Sequence, residues 1–298
     1  MTENPDAPWW ELVVNFDNYG QLLGLVQNSL IAAALLGVVG GVIGVFVMQR
    51  DMAFAVHGIS ELSFAGAAAA LLFGINVVAG SLIGSLIAAL VVGLLGTKAR
   101  HRNSVIGVLM PFGLGLGILF LALYPGRASS KFGLLTGQII SVNTPQLGSL
   151  IIISLIALAI LLVIWRPLLF ESLDSEAAAA RGVSARAMSM LFMLALGLIV
   201  AAAIQIVGAL LVLSLLVTPA AAALRVASSP AAVPALSAAF GILAAVGGIL
   251  LSLGGSLPIS PYITTISFLT YLICRLIEHS RNRVARIATP SPRPTTAA

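Results

Sequence analysis

His57 and Glu61 are the two side chains whose types and spacing suit chemistry in this sequence. They stand four residues apart in the stretch MAFAVHGISELSFAGAAAA, residues 52–70, which is long enough to cross a bilayer as a helix. On a helix that spacing puts both in the middle of one face, about one turn apart. An imidazole and a carboxylate supply half of a divalent-metal site. Ionisable groups at membrane depth are costly and by default mark the path of an ion or substrate. The competing reading is packing, in which the two bond to each other, or to Ser60 and Ser63, and fasten one helix to its neighbour. As a path, two ligands from one chain hold an ion loosely, and passage requires weak binding, because a tight closed site traps the ion. A second copy with the pair on its symmetry axis would bring two imidazoles and two carboxylates together, a set suited to Zn²⁺ or Mn²⁺.

The rest of the chain must place that pair in a membrane, and its composition does so. Of 298 residues, 59% are hydrophobic and only 8% charged, with a mean hydropathy of +1.10. A soluble domain carries about 25% charged residues. Apolar runs of about 20 residues recur along the whole length, which predicts an all-α polytopic membrane protein embedded in lipid. Between Met52 and Gly96, Glu61 is the only Asp, Glu, Lys or Arg, and from Val226 to Cys274 there is none. The single cysteine, Cys274, excludes an intramolecular disulfide and reads as a packed small side chain. The net charge of +5 does not point to nucleic acid, because the cations gather at the ends of apolar spans, as topology signals do.

In chain order, an acidic start without a basic leader region carries Trp9 and Trp10 as interfacial anchors. The first span, about 22–48, holds Gly37, Gly40, Gly41 and Gly44 at close-packing spacing. The stretch around His57 is the second span, and 77–96 is the third. The fourth, about 104–124, contains Pro111, where a kink is expected. Residues 125–146 are too polar to span and suit a short surface helix; the fifth span is 147–165. Residues 166–187 form a polar interruption in which Asp174 or Ser175 caps a short helix ending at Gly182, a candidate contact for another protein. The uncharged run 188–224 predicts one full helix, a break near Gln205–Gly208 and a shorter helix returning to Arg225, as in helices that line transporter cavities. Two further spans follow, about 232–253 and 262–277.

The total is eight to nine transmembrane helices, one of them broken or partial. With the N-terminus outside and the C-terminus cytoplasmic, 13 of the 15 Lys and Arg residues fall inside, and only Arg127 and Lys131 outside. The predicted organisation is an extracytoplasmic segment at 1–21, a transmembrane permease domain at 22–278 and a disordered cytoplasmic tail at 279–298. No phosphate-binding loop, HExxH or nucleophile elbow is present, so the chain does not read as an enzyme, and no permanently bound cofactor is expected.

Four stretches resemble the membrane permeases of the ABC transporters that import zinc, manganese or iron. They are MAFAVHGISELSFAGAAAA, then FESLDSEAAAARGV, IVGALLVLSLLVTPAAAA and LSLGGSLPISPYITTISFL, in the family's order over residues 20–278. Where that family has Asp, this chain has His57, and where it has His, this chain has Glu61, so the ligand types are kept in swapped order. The resemblance implies a homodimer of permeases in the cell membrane and two cytosolic ATPase subunits. The first docking choice is Thr218 to Pro230 and the second is 171–187. It also implies an extracytoplasmic metal-binding protein and ATP-driven uptake of the ion, with zinc favoured and manganese close behind. The alternatives are a siderophore or cobalamin ABC permease, which would need a wide cavity without paired ligands, and a proton-coupled secondary metal transporter using Glu61, which would show an internal repeat. A membrane scaffold without transport would make the pair structural.

Overall fold

The computed structural model describes residues 19–95, 99–126, 142–254 and 259–288. Regular structure among these residues is helical throughout. A short α1 (Tyr19–Leu25) leads into α2 (Gln27–Gln49), α3 (Ala53–Phe73), α4 (Val77–Leu95) and α5 (Ala99–Leu123). There follow α6 (Thr144–Leu173), the six-residue α7 (Ser175–Ala180), α8 (Ala185–Val207), α9 (Ala209–Val226), α10 (Ala232–Ser252) and α11 (Ile259–Ala288). Eight of these are long and apolar enough to cross a membrane, so the chain is a polytopic membrane protein. Trp9 and Trp10 fall outside the described residues, as does most of the expected surface helix at 125–146, whose last residues open α6.

Small residues decide which helices meet. In lipid the hydrophobic effect does not drive helices together, so close approach and backbone contact must. On α2, a Cβ on Gly37 would lie 2.6 Å from the Gly241 backbone of α10, and one on Gly41 would lie 2.6 Å from the Ser237 carbonyl. Ser237 Oγ completes the contact by donating to the Gly41 carbonyl at 2.7 Å. The small residues after Ala65 let α3 lie against α4, where Gly66 faces Gly80. Helix α8 is the most enclosed span and packs against α4 and α6, while α9 leaves it to pack on α2, α10 and α11.

Gly208 alone separates α8 from α9, with φ 77° and ψ 163°. That backbone region is almost exclusive to glycine. The predicted break is therefore present, but Gln205 lies inside the last turn of α8. Helix α9 has 18 residues, roughly 27 Å of rise, just short of the hydrocarbon thickness of about 30 Å.

Two boundaries differ from the sequence expectation. The fifth span does not end at Trp165, because α6 runs on through Pro167 to Leu173. Asp174 then caps α7, accepting from the Ala177 N–H at 2.9 Å, and Gly182 at φ 82° ends the turn. Likewise residues 279–288 are not a disordered tail but the end of α11. No Gly or Pro occurs between Tyr262 and Ala288 to stop the helix. The helix is also held near residue 279: Arg225 bonds Glu278 at 3.1 Å and Arg281 donates to the Val226 carbonyl at 3.3 Å.

Candidate functional site

Helix α3 carries both His57 and Glu61, and because it begins at Ala53 they sit about one and two turns from its N-terminal end. Glu61 is the central residue of the 52–70 stretch and His57 lies one turn before it, the position expected from the sequence. Nε2 of His57 and Oε1 of Glu61 are 3.5 Å apart. The Glu61 side chain is buried, with 6% exposure, whereas the His57 ring keeps 31%. Glu61 Oε2 is buried and has no hydrogen-bond partner. Two ligands of one tetrahedral ion with bonds of 2.0–2.2 Å stand about 3.4 Å apart, so the spacing of the pair suits joint coordination.

Ser60 and Ser63 are bonded elsewhere. Ser60 Oγ donates to the Ala209 carbonyl at 3.2 Å, which ties α3 to the first residue of α9. Ser63 Oγ donates to the Ser81 carbonyl at 2.9 Å, and Ser81 Oγ donates to Ala201 at 3.1 Å. Gln205 Nε2 closes this network on Ser81 Oγ at 3.2 Å and on the Ala201 carbonyl. The serines therefore anchor α3 to α4 and α9 and leave the pair to itself. Helix α5 covers the pair closely: a Cβ on Gly113 would fall 2.9 Å from the Glu61 backbone.

No group of three or more His, Cys, Asp or Glu side chains able to hold a metal occurs among the described residues. One chain offers two ligands at this place. Reading the sequence did not single out Arg50, Arg102 and Glu171, which converge where α2, α5 and α6 meet. Their only sequence signal is charge at a span end, which reads equally well as topology.

Residues 23–278 match the family model described as the ABC 3 transport family. The chain belongs to the ABC 3 transport family. As a member of that family with eight membrane-length helices, it is a multi-pass protein of the cell membrane. This ABC 3 chain is 33% identical over 226 residues to the manganese transport system membrane protein MntC of Halalkalibacterium halodurans, covering 75% of this chain and 77% of the relative. It is 27% identical over 288 residues to the manganese import system permease protein ScaB of Streptococcus pneumoniae, covering 94% and 100%. Among solved structures, it is similar to a chain of PsaBC from Streptococcus pneumoniae in complex with Fab, with a TM-score of 0.78 and 26% identity, covering 87% of this chain and 95% of that one. The ABC 3 assignment removes the scaffold reading and agrees with the resemblance carried by the four stretches.

Proposed function

We propose that this chain is the permease of an ABC importer that carries a divalent transition metal into the cytoplasm, with His57 and Glu61 as ligands along the path. The observation that carries the reading is the pair itself: a buried carboxylate with one unpartnered oxygen, 3.5 Å from an imidazole that remains partly open. In a transporter fold such a group is a waiting ligand. The cargo we favour is Mn²⁺, with Zn²⁺ second. Imidazole with carboxylate serves either ion, and relatives across most of the chain are named for manganese.

Two ligands bind weakly. A second copy, placed so that the open His57 rings face each other, would supply four and hold the ion only while both chains keep that arrangement. ATP hydrolysis on separate cytosolic subunits would then shift the two chains and release the ion inward, after delivery by an extracytoplasmic metal-binding protein. The positive-inside rule puts Arg50, α7 and Arg225 in the cytoplasm. Of the two docking segments, 171–187 fits better. Helix α7 is short, capped and largely exposed, whereas in 218–230 Ala220, Ala222 and Ala223 are buried within α9 and exposure is confined to Leu224, Arg225 and residues 228–230.

The test is isotope uptake of Mn²⁺ and Zn²⁺ in cells lacking this protein, complemented with wild type or with His57→Ala plus Glu61→Ala at matched membrane abundance. Restoration of one metal by wild type and not by the double variant supports the path and names its cargo. Full restoration by the double variant makes the pair a packing feature.

A further inference from the structure

A second polar centre lies at the end of the bundle where the cations gather. Arg50, just after α2, bonds Glu171 near the end of α6, and Arg50 Nη1 also lies 3.2 Å from Ser172 Oγ. Both charged side chains are mostly enclosed, with exposures of 8% and 11%. The Arg50 guanidinium is further fixed over the Phe192 ring, 5.8 Å from its centroid. Arg102 Nη2 donates to the Arg50 carbonyl at 3.0 Å. Even so, Nε of Arg50 and Nε of Arg102 are buried N–H groups without an acceptor. Beside them opens a cavity of about 310 Å³, lined by Arg50, Arg102, Arg186 and Glu171, with Ala185 and Ser189 from the start of α8.

Three guanidiniums line the cavity with one carboxylate, Glu171, which is already paired with Arg50, and Asp51 next to Arg50 is the second carboxylate acting on Arg102. The N-terminus of α8 adds to the positive field. Ser184 caps it by accepting the Ala187 N–H at 3.3 Å, which leaves the first two N–H groups of the helix for another acceptor. A cation is repelled from this place, and an anion finds three kinds of donor converging on it.

We propose that the cavity is a binding site for a phosphate-type oxyanion, held by Arg102, Arg186 and the first turn of α8. Planar guanidiniums match two phosphate oxygens at once, and backbone N–H groups at a helix start take the others. The phosphate can come from solution or from the headgroup of an anionic lipid, since basic pockets between helices near the cytoplasmic surface take such headgroups. Neither His57 nor Glu61 lines the cavity, and its charge preference is opposite to theirs.

The experiment uses the full chain in phosphatidylcholine nanodiscs and follows thermal unfolding. One arm titrates inorganic phosphate against chloride at equal ionic strength. The other replaces part of the phosphatidylcholine with phosphatidylglycerol in chloride alone. A saturable rise in Tm is expected in at least one arm. A rise with phosphate assigns a free anion, and a rise with phosphatidylglycerol only assigns a lipid headgroup. Arg102→Gln plus Arg186→Gln should weaken the apparent affinity about tenfold or more, the worth of a lost charge-assisted bond. Arg186→Gln alone, at an exposed position that leaves the Arg50–Glu171 pair intact, should weaken it several-fold and covers the case in which the double variant does not fold. No rise in either arm for the wild type overturns the proposal. A rise of equal size and midpoint in the wild type and in Arg186→Gln overturns it as well.

Discussion

Glu61 shows how much one side chain can carry in a bundle with so few charges. Its Oε1 faces His57 and its buried Oε2 has no hydrogen-bond partner. Glu61→Gln keeps the shape and removes the anionic ligand, so metal uptake should fall about tenfold or more while membrane abundance and Tm stay close to wild type. A variant with unchanged uptake would separate Glu61 from the path. The pair is legible in the sequence because a His and a Glu four apart stand out in an apolar run, and the helix period does the rest. Arg50 with Glu171 is not legible. The two are 121 positions apart, and each sits at the end of a span, where hydropathy sees only a boundary. Arg50→Ala would take from Glu171 its bonded partner while Arg102 and Arg186 still line the same cavity, a loss of about 1–3 kcal/mol. It should appear as a clear drop in Tm, larger than for Glu171→Gln.

Among the helices, the spans themselves are legible because bilayer thickness sets their length, and the break before α9 because 37 uncharged residues are too many for one crossing. The ends are not. Hydropathy reports where the apolar slab stops, while a helix stops where its backbone bonds lose support. So α6 continues past Arg166 and Pro167, and α11 past Ile277. At the joint between α8 and α9, Gly208 occupies a backbone region that other residues enter at a cost of about 1–3 kcal/mol. Gly208→Ala should therefore lower Tm and lower uptake together. If Tm falls and uptake is retained per folded molecule, the joint matters for folding alone.

At the scale of the whole molecule, the proposed pair of ligands would need a second copy for a full set, and on that proposal the copy would lie at the open side of His57. With Cys274→Ala removing the native thiol, His57→Cys should form an oxidation-dependent covalent dimer in membranes, read as doubled mass on a non-reducing gel. Persistent monomer would place the symmetry axis elsewhere. Within each copy, the single-residue joint at Gly208 has no slack, and this fixes the rotational phase of α9. An α-helix turns about 100° per residue, so inserting one residue at 208 would swing the face of α9 that meets Gly40 and Gly44 of α2 about a quarter-turn off target. The same twist would carry Arg225 away from Glu278 and the Ala209 carbonyl away from Ser60. Most loops between spans can drift in length over evolution, but this one behaves as a keyed coupling, open to substitution only by another residue that fits its backbone and closed to insertion or deletion.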